Sequence, residues 1–303
     1  MMNHREKIFV PHANNPEGPV LLKSGGWAFT QMNNREVSCV NSDGQNLRTI
    51  VKVGLPNGLV RDGDDNLYIA DARWRKLLKT TLSGELTEIS TGNAGHPFLL
   101  PNDLCFGPDG LLYMTDSGIE LETLNGIQNP EDIFSLLYDG KLFSIDPATG
   151  ETRLLDKGLQ MANGLCFAPD GKTLYVNESI TGNVWAYQVQ NGKRLGEKTL
   201  LCNVMLKPCK AYGRGAGPDG MAVDEHGNLY IAVITQGDVC IVSPDGTIID
   251  RIFLEGRFPT NLAFDRAGTR TIVVTDAGLN RLVKLHVGSD GFPLYTGQCK
   301  GKS

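Results

Sequence analysis

Apolar residues along this chain fall in short runs, and most of the runs have the compactness or alternation of strands rather than a helical period. Leu104-Cys105-Phe106, Leu111-Leu112-Tyr113-Met114 and Leu142-Phe143-Ser144-Ile145 are examples, set apart by turns rich in Gly, Pro, Asn and Asp. A 3.6-residue period nowhere persists beyond a turn or two, apart from a short helix expected at Pro130–Leu137.

The runs repeat. The segment from Asn102 to Asp116 returns between Asn163 and Glu178, with Pro-Asp-Gly at 108–110 and again at 169–171. A third copy runs from Asp219 to Ala232, and a fourth joins Asn57–Val60 to Asn66–Asp71. A fifth joins Asn261–Phe264 to Thr271–Asp276, and a worn sixth joins Glu17–Leu21 to Gly26–Thr30. Each copy reads as strand, turn, strand, with Asp-Gly supplying the positive φ that tight hairpins need. Third and fourth strands follow, such as Val239–Val242 and Ile248–Ile252. Four strands per unit make one blade of a propeller. The anchors at 17, 57, 102, 163, 219 and 261 lie 40, 45, 61, 56 and 42 residues apart. Propeller repeats run roughly 40–50 residues, so the two long intervals carry insertions, expected near 117–138 and near 203–217. The fold class is therefore all-β, a single six-bladed β-propeller domain over residues 1–303.

In such a fold the first strand of every blade lines the central channel. The anchors, Glu17, Asn57, Asn102, Asn163, Asp219 and Asn261, all carry side-chain oxygen. Asn and Asp before glycine also form turns, which is the structural alternative. Turn chemistry does not account for Glu17, and six such groups are costly to bury unpaired. A hard cation at the channel mouth satisfies them, calcium first, with magnesium, manganese or zinc as alternatives.

Charge and composition narrow the classes further. A net charge of -5 without a basic run argues against nucleic acid. The polar start, Met1 to Lys7, has no signal-peptide core, and no apolar stretch approaches a membrane span, so a soluble cytoplasmic protein is expected. Seven cysteines, an odd number, suggest no disulfide framework, although Cys202 and Cys209 could pair. Cys105 and Cys166, at like places in two repeats, read as small buried apolar residues. No Gly-x-Ser-x-Gly elbow or strand–Gly-rich–helix nucleotide fingerprint occurs.

Glu17-Gly18-Pro19, Pro101-Asn102-Asp103, Asn163-Gly164-Leu165 with Pro169-Asp170, and Pro218-Asp219-Gly220-Met221 occur in this order at blade spacing. In these phrases the chain resembles the SMP-30/gluconolactonase/luciferin-regenerating-enzyme-like family of propeller hydrolases. The resemblance implies divalent-metal ligands at Glu17, Asn163 and Asp219, with Asn102 as a fourth oxygen or close neighbour, and Asp103 facing the substrate. It implies hydrolytic opening of a lactone, most often a sugar lactone, with the ion as Lewis acid and Asp219 or Asp103 taking a proton from water. Asn102, Asp103, Glu120, His96 and Tyr212 are the substrate-side candidates. The last three come from loops expected over the mouth: Glu120 with Glu122, His96 as a proton shuttle or a merely exposed loop histidine, and Tyr212 at the head of a Gly-rich run to Gly217. His226, in a hairpin turn, is expected to face solvent. Two departures bear on the substrate: Leu100, after Phe98 and Leu99, stands where sugar-lactone members commonly carry arginine, and Val20 and Leu21 replace a tryptophan. A rim of Leu and Phe suits an ester or lactone less polar than a bare sugar acid. Three alternatives stay open: a phosphotriester-type hydrolase, a non-catalytic sensor or interaction platform, and, less favoured by the oxygen ring, a strictosidine-synthase-like bond former.

Overall fold

The computed structural model describes residues 6–190, 194–213, 215 and 217–297. Six four-stranded antiparallel sheets surround one axis. Blades I to V each take four consecutive strands, beginning with Pro16–Leu21, Pro56–Arg61, Pro101–Phe106, Ala162–Phe167 and Gly217–Val223. Blade VI joins Pro259–Phe264, Thr271–Asp276 and Arg281–His286 to the first strand of the chain, Lys7–Val10. The innermost strands touch their neighbours in a closed ring. The worn copy at Glu17 is thus a full blade.

Side chains alternate across each strand, so every sheet is apolar on both faces and must be covered on both. One apolar cluster fills each blade interface: Leu59, Leu67 and Ile69 meet Ala28 and Val37 between I and II, and Tyr113 and Leu142 meet Leu165 and Leu174 between III and IV. The hairpin glycines take the expected left-handed conformation, Gly110 at φ 82° and Gly171 at φ 65°.

A second device, repeated in blades II, III and IV, sets where the innermost strand begins. Asp71, Asp116 and Glu178, at the ends of second strands, accept backbone N–H groups from the incoming loop of the same blade. Gly54 N lies 2.7 Å from Asp71, Leu99 N 2.7 Å from Asp116, and Gln160 N 2.7 Å from Glu178. These carboxylates anchor loops.

The insertion after Asp116 holds a short α-helix, Leu121–Asn125, which the sequence pattern does not reveal, and a 3-10 turn, Pro130–Ser135. The turn is tighter and shorter than the helix expected at Pro130–Leu137, because Leu136 is already extended (φ -73°, ψ 153°). The long fourth interval is shared between an extended hairpin, Asn183–Gln190 with Arg194–Asn203, and the loop beyond it. A small hairpin, Gly92–Asn93 with His96–Pro97, is additional.

Ring closure leans on Arg281. This buried side chain bonds Asp276 (3.0 Å) in its own blade and Glu6 (2.6 Å) beside the first strand. Arg281→Leu leaves the Asp276 carboxylate buried without its cation, and is expected to lower unfolding stability by about 3 kcal/mol. An unchanged thermal midpoint would contradict this role.

Candidate active site at the channel

Strand register defines the ring of channel residues. Pro101 pairs with Asp116 and Leu104 with Met114, whereas Pro259 pairs with Asp276 and Leu262 with Val274. Thr260 is therefore the counterpart of Asn102, and Asn261 the counterpart of Asp103. Local bonding agrees: Leu104 N donates to Asp103 Oδ1 (2.9 Å) and Leu262 N to Asn261 Oδ1 (2.8 Å). Likewise Asp103 N donates to Thr115 Oγ1 and Asn261 N to Thr275 Oγ1. The sixth anchor is thus Thr260, not Asn261, and Asn261 sits one step further along the channel.

At that lower step four blades present glycine and two do not. Asp103 and Asn261 come from opposite blades and meet across the axis, Asn261 Nδ2 lying 3.3 Å from Asp103 Oδ2 and 2.9 Å from Glu17 Oε2. Glycine makes this meeting feasible. A Cβ on Gly58 would fall 2.4 Å from Asp103 Oδ1, and one on Gly220 2.1 Å from the Asn261 amide carbon.

The upper ring is braced from outside. Asn102 Nδ2 donates to Ser117 Oγ (3.0 Å), which donates to Ala162 O (3.1 Å) in the next blade. Asn163 Nδ2 donates to Ser179 Oγ (3.0 Å), which donates to Pro218 O (2.8 Å). One N–H of each amide is thus held at the wall, leaving for the channel the oxygen and a second N–H, which in Asn163 bonds Asp219. Asn177 Nδ2 holds Asp219 O at 2.7 Å. The sequence pattern marks Asn261 only as an anchor and does not mark Ser117, Ser179 or Thr260, since their parts depend on the register.

Glu17, Asp103 and Asp219 are 3%, 7% and 8% exposed, and among the described residues no lysine, arginine or histidine forms an ion pair with any of them. Burial pushes the Glu17 carboxyl up to about 8, and repulsion from Asp103 adds to it, while the Asn261 and Gly18 donors pull back. Burial likewise raises Asp219 far above the usual range, with further repulsion from Glu17 and Asp103 and a smaller opposing pull from Asn163. Asp103 is raised to about 6 by burial, against the Leu104 N–H and the Asn261 amide. Among the described residues no three of His, Cys, Asp and Glu cluster closely enough to hold an ion by themselves. The donor set is mixed: carboxylates Glu17 and Asp219 with amide oxygens of Asn102 and Asn163. Oxygen donors with two negative charges and no counter-ion fit a hard divalent cation.

The insertion after Asp116 packs on the residues that lead into this ring. Ile119, Ile133 and Tyr138 pack on Leu100 and Ala72, with Leu55, Met161 and Ile180 joining from the side. Leu55, Leu100 and Met161 each stand two residues before an anchor. Leu100 thus belongs to the expected apolar rim, but Phe98 does not: it is fully buried edge-on against Phe143 (5.1 Å) in the blade core. Glu120 and Glu122 lie on the exposed side of the insertion, paired with Arg75 at 3.6 and 3.2 Å, and the structure does not bring Glu120 into the ring. His96 sits half-buried in the extra hairpin, and Tyr212, half-buried, ends a 3-10 turn, Cys209–Tyr212. Arg214 and Ala216 of the Gly-rich run lie outside the described residues. Cys202 and Cys209 are unpaired thiols. Cys105 and Cys166 line the channel below Asp103, where burial pushes their thiols up. His226 faces solvent beside Glu225.

The raised carboxyls set a direction for pH dependence. A carboxyl with a folded value above its unfolded one costs nothing while both states are protonated, and the folded state loses stability as pH rises between the two values. For Glu17 that window runs from 4.5 to about 8. In chelator-treated protein Glu17→Gln should therefore flatten the fall in thermal midpoint between pH 5 and 8. At pH 4.5 the variant and the parent should differ little. Parallel pH profiles for the two proteins would refute the assignment.

Comparison with known proteins bears on the family and the fold. Residues 15–278 match the SMP-30/gluconolactonase/LRE-like region. The gluconolactonase of Zymomonas mobilis is 31% identical over 199 residues, 65% of this chain and 53% of its own length, so the match spans about half of that relative. The diisopropyl-fluorophosphatase of Loligo vulgaris is 28% identical over 253 residues, 80% of this chain and 75% of its own. In three dimensions a calcium-binding protein of Agrobacterium tumefaciens, regucalcin, superposes with a TM-score of 0.78 at 18% identity, covering 97% of this chain and 98% of the other. A six-bladed propeller with paired carboxylates and wall-braced amides at its axis, matched along most of its length, belongs to the SMP-30/gluconolactonase/LRE-like family.

Proposed function

We propose that the chain is a metal-dependent hydrolase that opens a lactone or related cyclic ester. The observation that carries this reading is the pair of buried carboxylates, Glu17 and Asp219, beside the Asn102 and Asn163 amides with no cation among the described residues to neutralise them. The names of two relatives, a gluconolactonase and a 6-deoxy-6-sulfogluconolactonase, point to lactones. Glu17, Asp219, Asn102 and Asn163 would hold the ion, with calcium the first choice for an all-oxygen set. A divalent cation bound there supplies Lewis-acid polarisation of an ester carbonyl.

The chain's own residues divide the remaining work. Asn261 donates to Glu17 and Asp103 together, and so fixes both carboxylates in one orientation. Asp103 is braced by the Leu104 N–H and its carboxyl is pushed up to about 6. A carboxylate with that basicity accepts a proton from water near neutral pH better than an ordinary one. The apolar cover, Ile119, Ile133 and Tyr138 on Leu100, excludes water and favours a lactone less polar than a sugar acid.

A second reading, phosphotriester-type hydrolysis, keeps support from the fluorophosphatase relative. The same donor set serves both, since a phosphoryl oxygen is polarised like a carbonyl.

A panel of glucono-, alkyl- and aryl-substituted lactones and phosphotriesters, read by acid release, separates the readings. Chelation is expected to abolish lactone opening and added calcium to restore it. Asp219→Asn should cost about 100-fold or more in kcat, whereas Asp103→Asn should lower kcat and leave calcium affinity nearly intact. Hydrolysis that survives both chelation and Asp219→Asn would overturn the proposal, and unaltered function in both variants would favour the non-catalytic platform.

A further inference from the structure

The channel does not run open through the molecule. After blade VI the chain crosses the face opposite the oxygen ring. Phe292 N bonds Val223 O in blade V (3.0 Å), Tyr295 stacks edge-on with Phe167 in blade IV (6.2 Å), and Thr296 O accepts Gly63 N in blade II (3.0 Å). Between this strap and the Asp103–Asn261 crossing lies a chamber of about 410 Å³. Its walls are chiefly apolar: Leu59, Phe106, Leu165, Phe167, Met221 and Phe264 contribute. No residue of the upper ring reaches into it.

Charge is distributed unevenly along the chamber. The inner end is acidic, since Asp103 stands there. The outer end carries two guanidinium groups, Arg61 and Arg266. Arg61 is held by Leu21 O (2.8 Å) and Asp65 (3.2 Å). Arg266 is exposed and makes no ion pair among the described residues. The neighbouring Asp265 is neutralised by Lys284 at 2.7 Å. A volume in the range of small-molecule sites, apolar walls and a few polar groups at the ends are the features of a ligand pocket. The acidic inner end repels an anionic head, and the basic rim attracts one.

We propose that this lower chamber binds an amphipathic monocarboxylate, with its alkyl or aryl tail between the innermost strands and its carboxylate at Arg61 and Arg266. The site is separate from the oxygen ring, and it does not depend on what the ring catalyses. Entry requires passage between the strap and the Arg266 turn.

Decanoate is a suitable probe, titrated calorimetrically into the full chain with decanol as the uncharged control. Saturable binding of one decanoate per chain is expected, with decanol weaker. Ala222→Phe fills the chamber and should abolish binding; Ala263→Phe, on the next blade, gives the same readout should the first variant fail to fold. Arg266→Glu should weaken decanoate roughly five- to tenfold, the scale of one exposed charge reversed, and leave decanol unchanged. Absence of saturable binding, binding that survives a folded chamber-filling variant, or displacement of decanoate by calcium would each overturn the proposal.

Discussion

Three carboxylates, Glu17, Asp103 and Asp219, are buried near one axis without a basic partner among the described residues, and the rest of the site is arranged around that electrostatic cost. Burial of one charge in a low-dielectric interior is expensive, and like charges beside it raise the cost further. A protein can lower it by protonation, by hydrogen bonds or by a cation. The chain uses hydrogen bonds sparingly, through Asn261, Gly18 N and Leu104 N. Those donors offset only part of the cost, as the raised carboxyls show, which is the condition under which metal binding releases protons and stabilises the fold.

The propeller supplies the rigidity this requires. In blades II, III and IV the loop leading into the innermost strand is clamped by a carboxylate of the same blade, as Asp116 clamps Leu99 and Leu100, and in blade I Gln31 holds Asn14 N instead. Hydroxyls then tie ring to ring: Thr30 reaches Asn57 O at 2.8 Å and Thr115 reaches Asn163 O at 2.8 Å. Ala70 and Ala232 stand at the corresponding places in blades II and V, so those two blades lack this hydroxyl. Rigid walls under an apolar cover are the general means of holding donors at fixed positions.

Much of this was legible in the chain. Strand, Asp-Gly turn and strand are local signals, and their recurrence from Asn102 and Asn163 disclosed the blades. Glu17, Asn102, Asn163 and Asp219 stood out because the same oxygen-bearing position returned in every copy. Other features depended on contacts distant in sequence. Pro259-Thr260-Asn261-Leu262 and Pro101-Asn102-Asp103-Leu104 align residue for residue, but both Thr260 and Asn261 carry oxygen, and the pattern of hydrogen bonds that Asn261 shares with Asp103 is what identifies Thr260 as the true anchor. Phe98 lies in an apolar stretch with Leu99 and Leu100, and the stretch itself does not say which side chain faces Phe143. The five-residue helix Leu121–Asn125 buries no residue and so left no periodic trace. The strap through Phe292 and Tyr295 has no pattern at all, because its course is fixed by partners in blades II, IV and V.

Calorimetric titration of chelated protein with calcium at pH 7, in two buffers of different ionisation enthalpy, tests the central claim most directly. The account predicts one ion per chain and release of roughly one to two protons, because raised carboxyls must ionise to bind it. Binding without proton release, or no binding at a single site, would contradict it.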